Sequence, residues 1–204
     1  MNTGTDSLSS YQRKTATNRL GLWLFLLSDL FVFGGLFVAR FYLLGVDTRP
    51  EVNQLLGLVI TSILLVSSYF MYSAESAMRF GETKKFLRNI AITLILGVLF
   101  LIGVVGLEWQ IAPSGPDGGA VWSLFYIMTG FHAFHVLTGV IFLFIVYRNG
   151  RKGIYSAEKH WPVEASAVYW HFIDVVWIFF YPALYLIGTC LLYTSDAADD
   201  RTWV

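Results

Sequence analysis

Five long apolar windows constrain this chain more than any other feature. They cover roughly residues 20 to 44, 53 to 75, 87 to 107, 121 to 147 and 165 to 192. Each reaches the ~20 residues that a helix needs to cross the hydrocarbon of a bilayer. Inside hydrocarbon every backbone N–H and C=O must be satisfied within the segment, so apolar runs of this length become helices. With 56% hydrophobic and 14% charged residues in 204, little chain remains for a soluble domain. The expected fold is all-α: a polytopic membrane protein with one five-helix transmembrane domain over residues 20–192. It is preceded by a polar tail, 1–19, and followed by a polar tail, 193–204.

Charge in the short connections gives the orientation. Arg13, Lys14 and Arg19 precede the first window. Arg79, Lys84, Lys85 and Arg88 lie between the second and third, and Arg148, Arg151, Lys152 and Lys159 between the fourth and fifth, together 11 of the 14 Lys and Arg. The opposite connections, "VDTRPEVN" and "EWQIAPSGPDGG", are acidic or neutral. The positive-inside bias puts the N-terminus in the cytoplasm and, after five crossings, the C-terminus outside. The first window is too long for the core of a signal peptide, so it reads as an uncleaved anchor. The single Cys190 excludes an internal disulfide, and no cysteine pair has metal-ligand spacing. Zero net charge gives no footprint for nucleic acid. The ending "TCLLYTSDAADDRTWV" differs in composition from the rest and reads as an appended or disordered tail without function.

Ionisable residues inside the windows are the candidate functional groups, because each costs roughly 2.5–3.5 kcal/mol at the centre of a membrane helix. Asp29 lies about nine residues into the first window, ~14 Å deep at the helical rise. His132 and His135 in "TGFHAFHVLTG" are three residues apart, which predicts one shared face. Glu164, His171 and Asp174 follow at i, i+7 and i+10 in the fifth window. A shared depth for Asp29, His135 and Asp174 predicts one polar cluster joining three helices. The plain alternative for Asp29 is a neutral, hydrogen-bonded side chain that fastens two helices. A haem held by a fourth-window His and His171 is a second reading, disfavoured by the nearby carboxylates. A proton or ion pathway is a third, although no continuous row of acids leads to the outer face.

The remaining features read as structural. Gly34, Gly35, Gly57, Gly97, Gly103, Gly106, Gly130 and Gly139 are expected to let helices approach closely. Trp109, Trp122, Tyr155 and Trp161 read as interface anchors. Glu75, Arg79, Glu108, Trp170 and Trp177 are candidates for lipid or interface contact, with a solvated side chain as the plain reading of Glu75 and Glu108. Trp170 and Trp177 read more naturally as packing. Arg40 is expected to snorkel outward from the first window.

Four stretches, in order, resemble one family. "RLGLWLFLLSDLFVFGGLF", "GVVGLEW", "TGFHAFHVLTGVIFLF" and "EASAVYWHFIDVVWIFFYPALYLIG" are similar to subunit III of the haem-copper respiratory oxidases, the family of cytochrome c oxidase subunit III, over residues 19 to 188. The resemblance implies a helical subunit without haem or copper, packed on subunit I in a hetero-oligomer with subunits I and II. Haem and copper are then expected in those partners, and bound phospholipid between helices of this chain. Such a subunit supports subunit I, its proton uptake and sustained turnover, in a bacterial plasma membrane. The family's intramembrane acid falls on Asp29, its paired histidines on His132 and His135, and its last-helix polar set on Glu164, His171 and Asp174. No catalytic residue and no metal ligand is implied here. Two departures stand out. The long form has seven helices and this chain lacks the first two, and "SD" replaces the usual Ser-Glu, as in the quinol-oxidase branch. Glu164 and the rest of its motif favour cytochrome c as donor.

Overall fold

The computed structural model describes residues 3–46, 48 and 50–187; the tail expected at 193–204 and Cys190 lie outside them. Five helices are long and apolar enough to cross a membrane. They are α1 (Thr3–Leu44), α2 (Gln54–Arg79), α3 (Thr83–Ile111), α4 (Ala120–Arg151) and α5 (Trp161–Leu186). Most helix ends overrun the apolar windows because polar flanks such as 3–19 and Ser76–Arg79 continue the same backbone ladder. The fifth helix instead ends at Leu186, short of the window expected to reach 192, whose last residues, 188–192, lie outside the described ones. The first helix therefore runs unbroken through the stretch expected as a tail.

Local chemistry sets the turns at the basic end. After α2, Gly81 adopts φ 75°. Its N–H bonds Met78 O at 3.0 Å, and the Glu82 N–H bonds Ala77 O at 2.8 Å. This Schellman arrangement needs a left-handed residue, which glycine supplies without a Cβ clash. Gly153 ends α4 in the same way, at φ 70°. At the other end Asn53 Oδ1 accepts the Leu56 N–H and caps α2.

Helices α2, α3, α4 and α5 form a closed ring in which each packs on two neighbours, while α1 leans on α4 and α5 from outside. The ring is interlocked by Trp170 of α5. A Cβ on Gly97 of α3 would stand 2.6 Å from its ring, and one on Gly139 of α4 would stand 3.1 Å away. The indole thus fills a slot that two glycines leave open. Gly57 and Gly103 do the same for Tyr185 and Ile60. Gly34 and Gly35, expected to serve close approach, face open space on α1.

Two segments depart from α geometry. Ile102–Glu108 in α3 and Pro182–Leu186 in α5 are π-helical. Pro182 lacks an N–H to donate to the preceding turn, which accounts for the second.

Candidate functional site

The sequence-derived polar residues are divided among separate places. At mid-depth on the outer flank of the ring, Asp29 of α1 meets His135 of α4, with Oδ2 3.4 Å from Nε2. His135 Nδ1 lies 2.8 Å from Phe131 O. A carbonyl accepts and cannot donate, so Nδ1 carries the hydrogen. The contact between Nε2 and Asp29 then avoids repulsion when the pair shares one further proton, on the ring or on the carboxyl. Phe33 closes over His135 edge-on, its ring centroid 4.8 Å away. The Thr138 and Tyr169 hydroxyls lie 2.8 Å apart beside this pair. Together with Phe25, Phe134 and Phe142 they line a groove of 420 Å³ between α1 and α4.

His132 does not join that pair. Successive helix positions turn ~100°, so a spacing of three leaves the two rings about 60° apart. His135 turns to α1, whereas His132 turns into the ring, fully buried. Its centroid is 4.7 Å from that of Trp177 and 5.6 Å from that of Phe100, and neither nitrogen has a hydrogen-bond partner.

His171 and Asp174 face α2. His171 Nδ1 lies 2.7 Å from Ser68 Oγ. Asp174 is buried with both oxygens unpartnered. The expected single cluster is therefore two clusters on opposite sides of α5, with His132 between aromatic rings and in neither. Equal depth along three helices fixes height and leaves azimuth open.

Glu164 sits at the basic end and clasps helices. Arg19 Nη2 of α1 bonds its Oε1 at 2.6 Å, and Arg79 Nη2 of α2 stands 3.8 Å away. Arg79 also pairs with Glu75 at 2.6 Å. Arg19, Glu164, Arg79 and Glu75 thus form one chain of alternating charge across α1, α5 and α2. Arg19 also lies over the Trp161 ring, 5.6 Å from its centroid.

Glu108 and Arg40 lie deeper than their sequence positions suggest, whereas Trp170 and Trp177 pack as the sequence reading favoured. Glu108, read as a solvated or lipid-contacting side chain, is buried and accepts the Tyr185 hydroxyl at 2.5 Å. The π turn of α3 ends at this residue. Trp170 and Trp177, candidates for lipid contact that read more naturally as packing, are core side chains that donate to Ser67 Oγ and Thr61 Oγ1, each at 3.0 Å. Arg40, expected to snorkel, is 0% exposed. Its Nε donates to Ala183 O at 3.1 Å, Nη1 to Gly45 O at 2.9 Å and Nη2 to Thr48 O at 2.6 Å. The loop after α1 folds back over the guanidinium, so carbonyl oxygens replace the water that snorkelling would reach. The sequence signal for this was weak: the glycine directly after the helix.

Among the described residues, no three His, Cys, Asp or Glu side chains converge as a metal-ligand set. His132 and His171 are committed to different neighbours, Trp177 and Ser68.

Comparison with known proteins closes the question of kinship. Residues 9–189 match the family described as cytochrome c oxidase subunit III. A protein of Thermostichus vulcanus named cytochrome c oxidase subunit 3 is 34% identical over 174 residues, covering 82% of this chain and 86% of its own. The protein of that name from the armadillo Dasypus novemcinctus is 35% identical over 184 residues, covering 84% of this chain and 70% of its own. A third, from Synechocystis, is 34% identical over 174 residues, covering 82% and 74%. With its five apolar helices, this membrane protein belongs to the cytochrome c oxidase subunit III family.

Proposed function

We propose that this chain is the non-redox accessory subunit of a proton-pumping cytochrome c oxidase that reduces oxygen. The observation that carries the reading is the family match from residue 9 to 189, which spans all five helices. The relatives' shared name favours cytochrome c over quinol as donor. Haem and copper then reside in the partner subunits I and II, and this chain holds helices and lipid around subunit I.

In this reading the protein sits in a bacterial plasma membrane with its basic end facing the cytoplasm, an orientation that positive-inside bias favours. The groove beside Asp29 takes a phospholipid chain: its walls are mainly aromatic, with a small polar patch at Asp29, His135, Thr138 and Tyr169. Asp29 and His135 fix the angle of α1 against α4 and so the shape of that groove. The clasp of Arg19 and Glu164 sets the cytoplasmic ends beside which subunit I takes up protons.

The test is an oxidase purified with and without this chain. Comparable initial turnover, followed by faster loss of activity when the chain is missing, is the expected result. Equal yield and equal endurance would reject an accessory role. In the intact complex, His135→Leu should shorten sustained turnover or lower assembly; if both stayed unchanged, the role given to the Asp29 pair would fail.

A further inference from the structure

Asp174 is the buried carboxyl that the bundle leaves without a partner. It is 3% exposed, and neither oxygen makes a hydrogen bond. An ionised carboxylate left unpaired in an apolar interior is expensive enough that a proton or another cation normally joins it.

The groups around it lead to one end of the molecule. From α2, Ser68 stands beside Asp174 without reaching hydrogen-bond geometry, and Ser68 Oγ is already 2.7 Å from His171 Nδ1. His171 lies one turn closer to the basic end, partly exposed, within electrostatic reach of Glu75. Glu75 pairs with the largely exposed Arg79, which also faces Glu164. From α3, Asn89 and Thr93 are already bonded, Asn89 to Ser73 and Thr93 to the Asn89 carbonyl. On α4, His132 rests on Trp177, and on α1, Asp29 is engaged with His135.

Toward the far end the row stops. Trp177, one turn beyond Asp174, is buried and spends its N–H on Thr61, whose own hydroxyl hydrogen goes to Gly57 O at 2.8 Å. Phe100 packs edge-on against Trp177 at 5.1 Å.

We propose that Asp174 is a proton-binding site, loaded from the basic end through His171 and Ser68 and closed toward the far end by Trp177 and Phe100. Loading conserves charge and atoms. A proton arriving at His171 Nε2 makes an imidazolium. Nδ1 then passes its hydrogen to Ser68 Oγ as the serine's own hydrogen moves to the Asp174 carboxylate. The carboxylate becomes a neutral acid, the serine is restored, and His171 returns to neutral with its hydrogen on Nε2. A small rotation of Ser68 closes the gap to Asp174. The site stores a proton and does not carry it across, which separates it from a transmembrane pathway, and it stands whether or not the oxidase assignment holds.

Infrared difference spectroscopy on the purified native complex tests this. A carboxylic C=O band should appear on acidification, shift in D2O, vanish in Asp174→Asn and move in Asp174→Glu, which keeps the acid if the amide fails to assemble. Ser68→Ala and His171→Phe should each slow deuterium exchange of that band at least about tenfold, in line with the loss of a positioned proton-transfer group. Ser62→Ala, on the exposed face of α2, should leave exchange unchanged. The proposal is overturned if no band sensitive to Asp174 responds to pH or D2O, or if both relay variants exchange at the wild-type rate.

Discussion

Helix α1 and the ring of α2 to α5 are built on different principles. In the most apolar window of α1, 11% of residues are buried, against 56% in α5. Among the residues of α1 whose burial is described, the buried ones are Leu26, Phe33 and Arg40, seven apart, so a single narrow seam touches the ring. Along its length polar contacts fasten it at four heights: Tyr11, whose hydroxyl accepts the Trp161 N–H, Arg19 on Glu164, Asp29 on His135, and Arg40 on Ala183 O. The ring relies on shape, with indoles and phenols seated over glycines and the buried indole N–H groups of Trp170 and Trp177 satisfied by hydroxyls of α2. In lipid, apolar contact alone gives helices no preference for each other over acyl chains, so close packing and hydrogen bonds must set the arrangement. The ring uses both, and α1 depends mainly on the second.

This contrast predicts where substitutions hurt. Arg40→Leu should be the most damaging, about 3 kcal/mol, because it strips three carbonyls of a charged donor and frees the far end of α1. The check is the SDS-unfolding midpoint of the purified protein, with proteolysis of the loop after α1 as a second readout. Gly97→Ala follows, at about 2 kcal/mol, since the new methyl meets Trp170 at 2.6 Å in a packed slot. An unchanged midpoint there would break the account of the ring.

Thr61→Val should cost about 1 kcal/mol by leaving the Trp177 N–H buried and unpaired, and tryptophan fluorescence should report the altered indole. Arg19→Ala should change stability by about 0.5 kcal/mol or less, because that side chain is largely exposed and its ion pair is screened. Gly34→Ala should be neutral or slightly stabilising, as a Cβ there meets nothing within 4 Å and helix propensity rises. Gly97 and Gly34 look alike in sequence, so opposite outcomes for the same substitution would sharpen the division between ring and α1.

Much of the fold was legible because hydropathy over ~20 residues reports a physical requirement of the bilayer. All five spans are legible, and most helix ends run past the windows because polar residues such as Arg79 continue a helix without adding apolar signal, while the fifth helix stops at Leu186, short of its window. The site was legible in kind but not in arrangement. Asp29, His135, Asp174 and His171 announce themselves as costly residues in apolar runs. Which way each turns depends on azimuth relative to helices that are distant in sequence. His132 illustrates this: three residues from His135, it points into aromatic rings while its neighbour points to Asp29. Glu108 and Arg40 sit near span ends, where water is the default partner, and their burial follows from a π turn and a folded-back loop that hydropathy does not register.

The most direct test of the account is to purify the tagged chain with its complex from native membranes, separate the subunits, and measure haem and copper in each. A large co-purifying subunit that holds the haem and copper, beside a colourless chain, is the predicted result. Stoichiometric haem retained on the isolated chain would contradict it and make His171, with His132 or His135, the ligands.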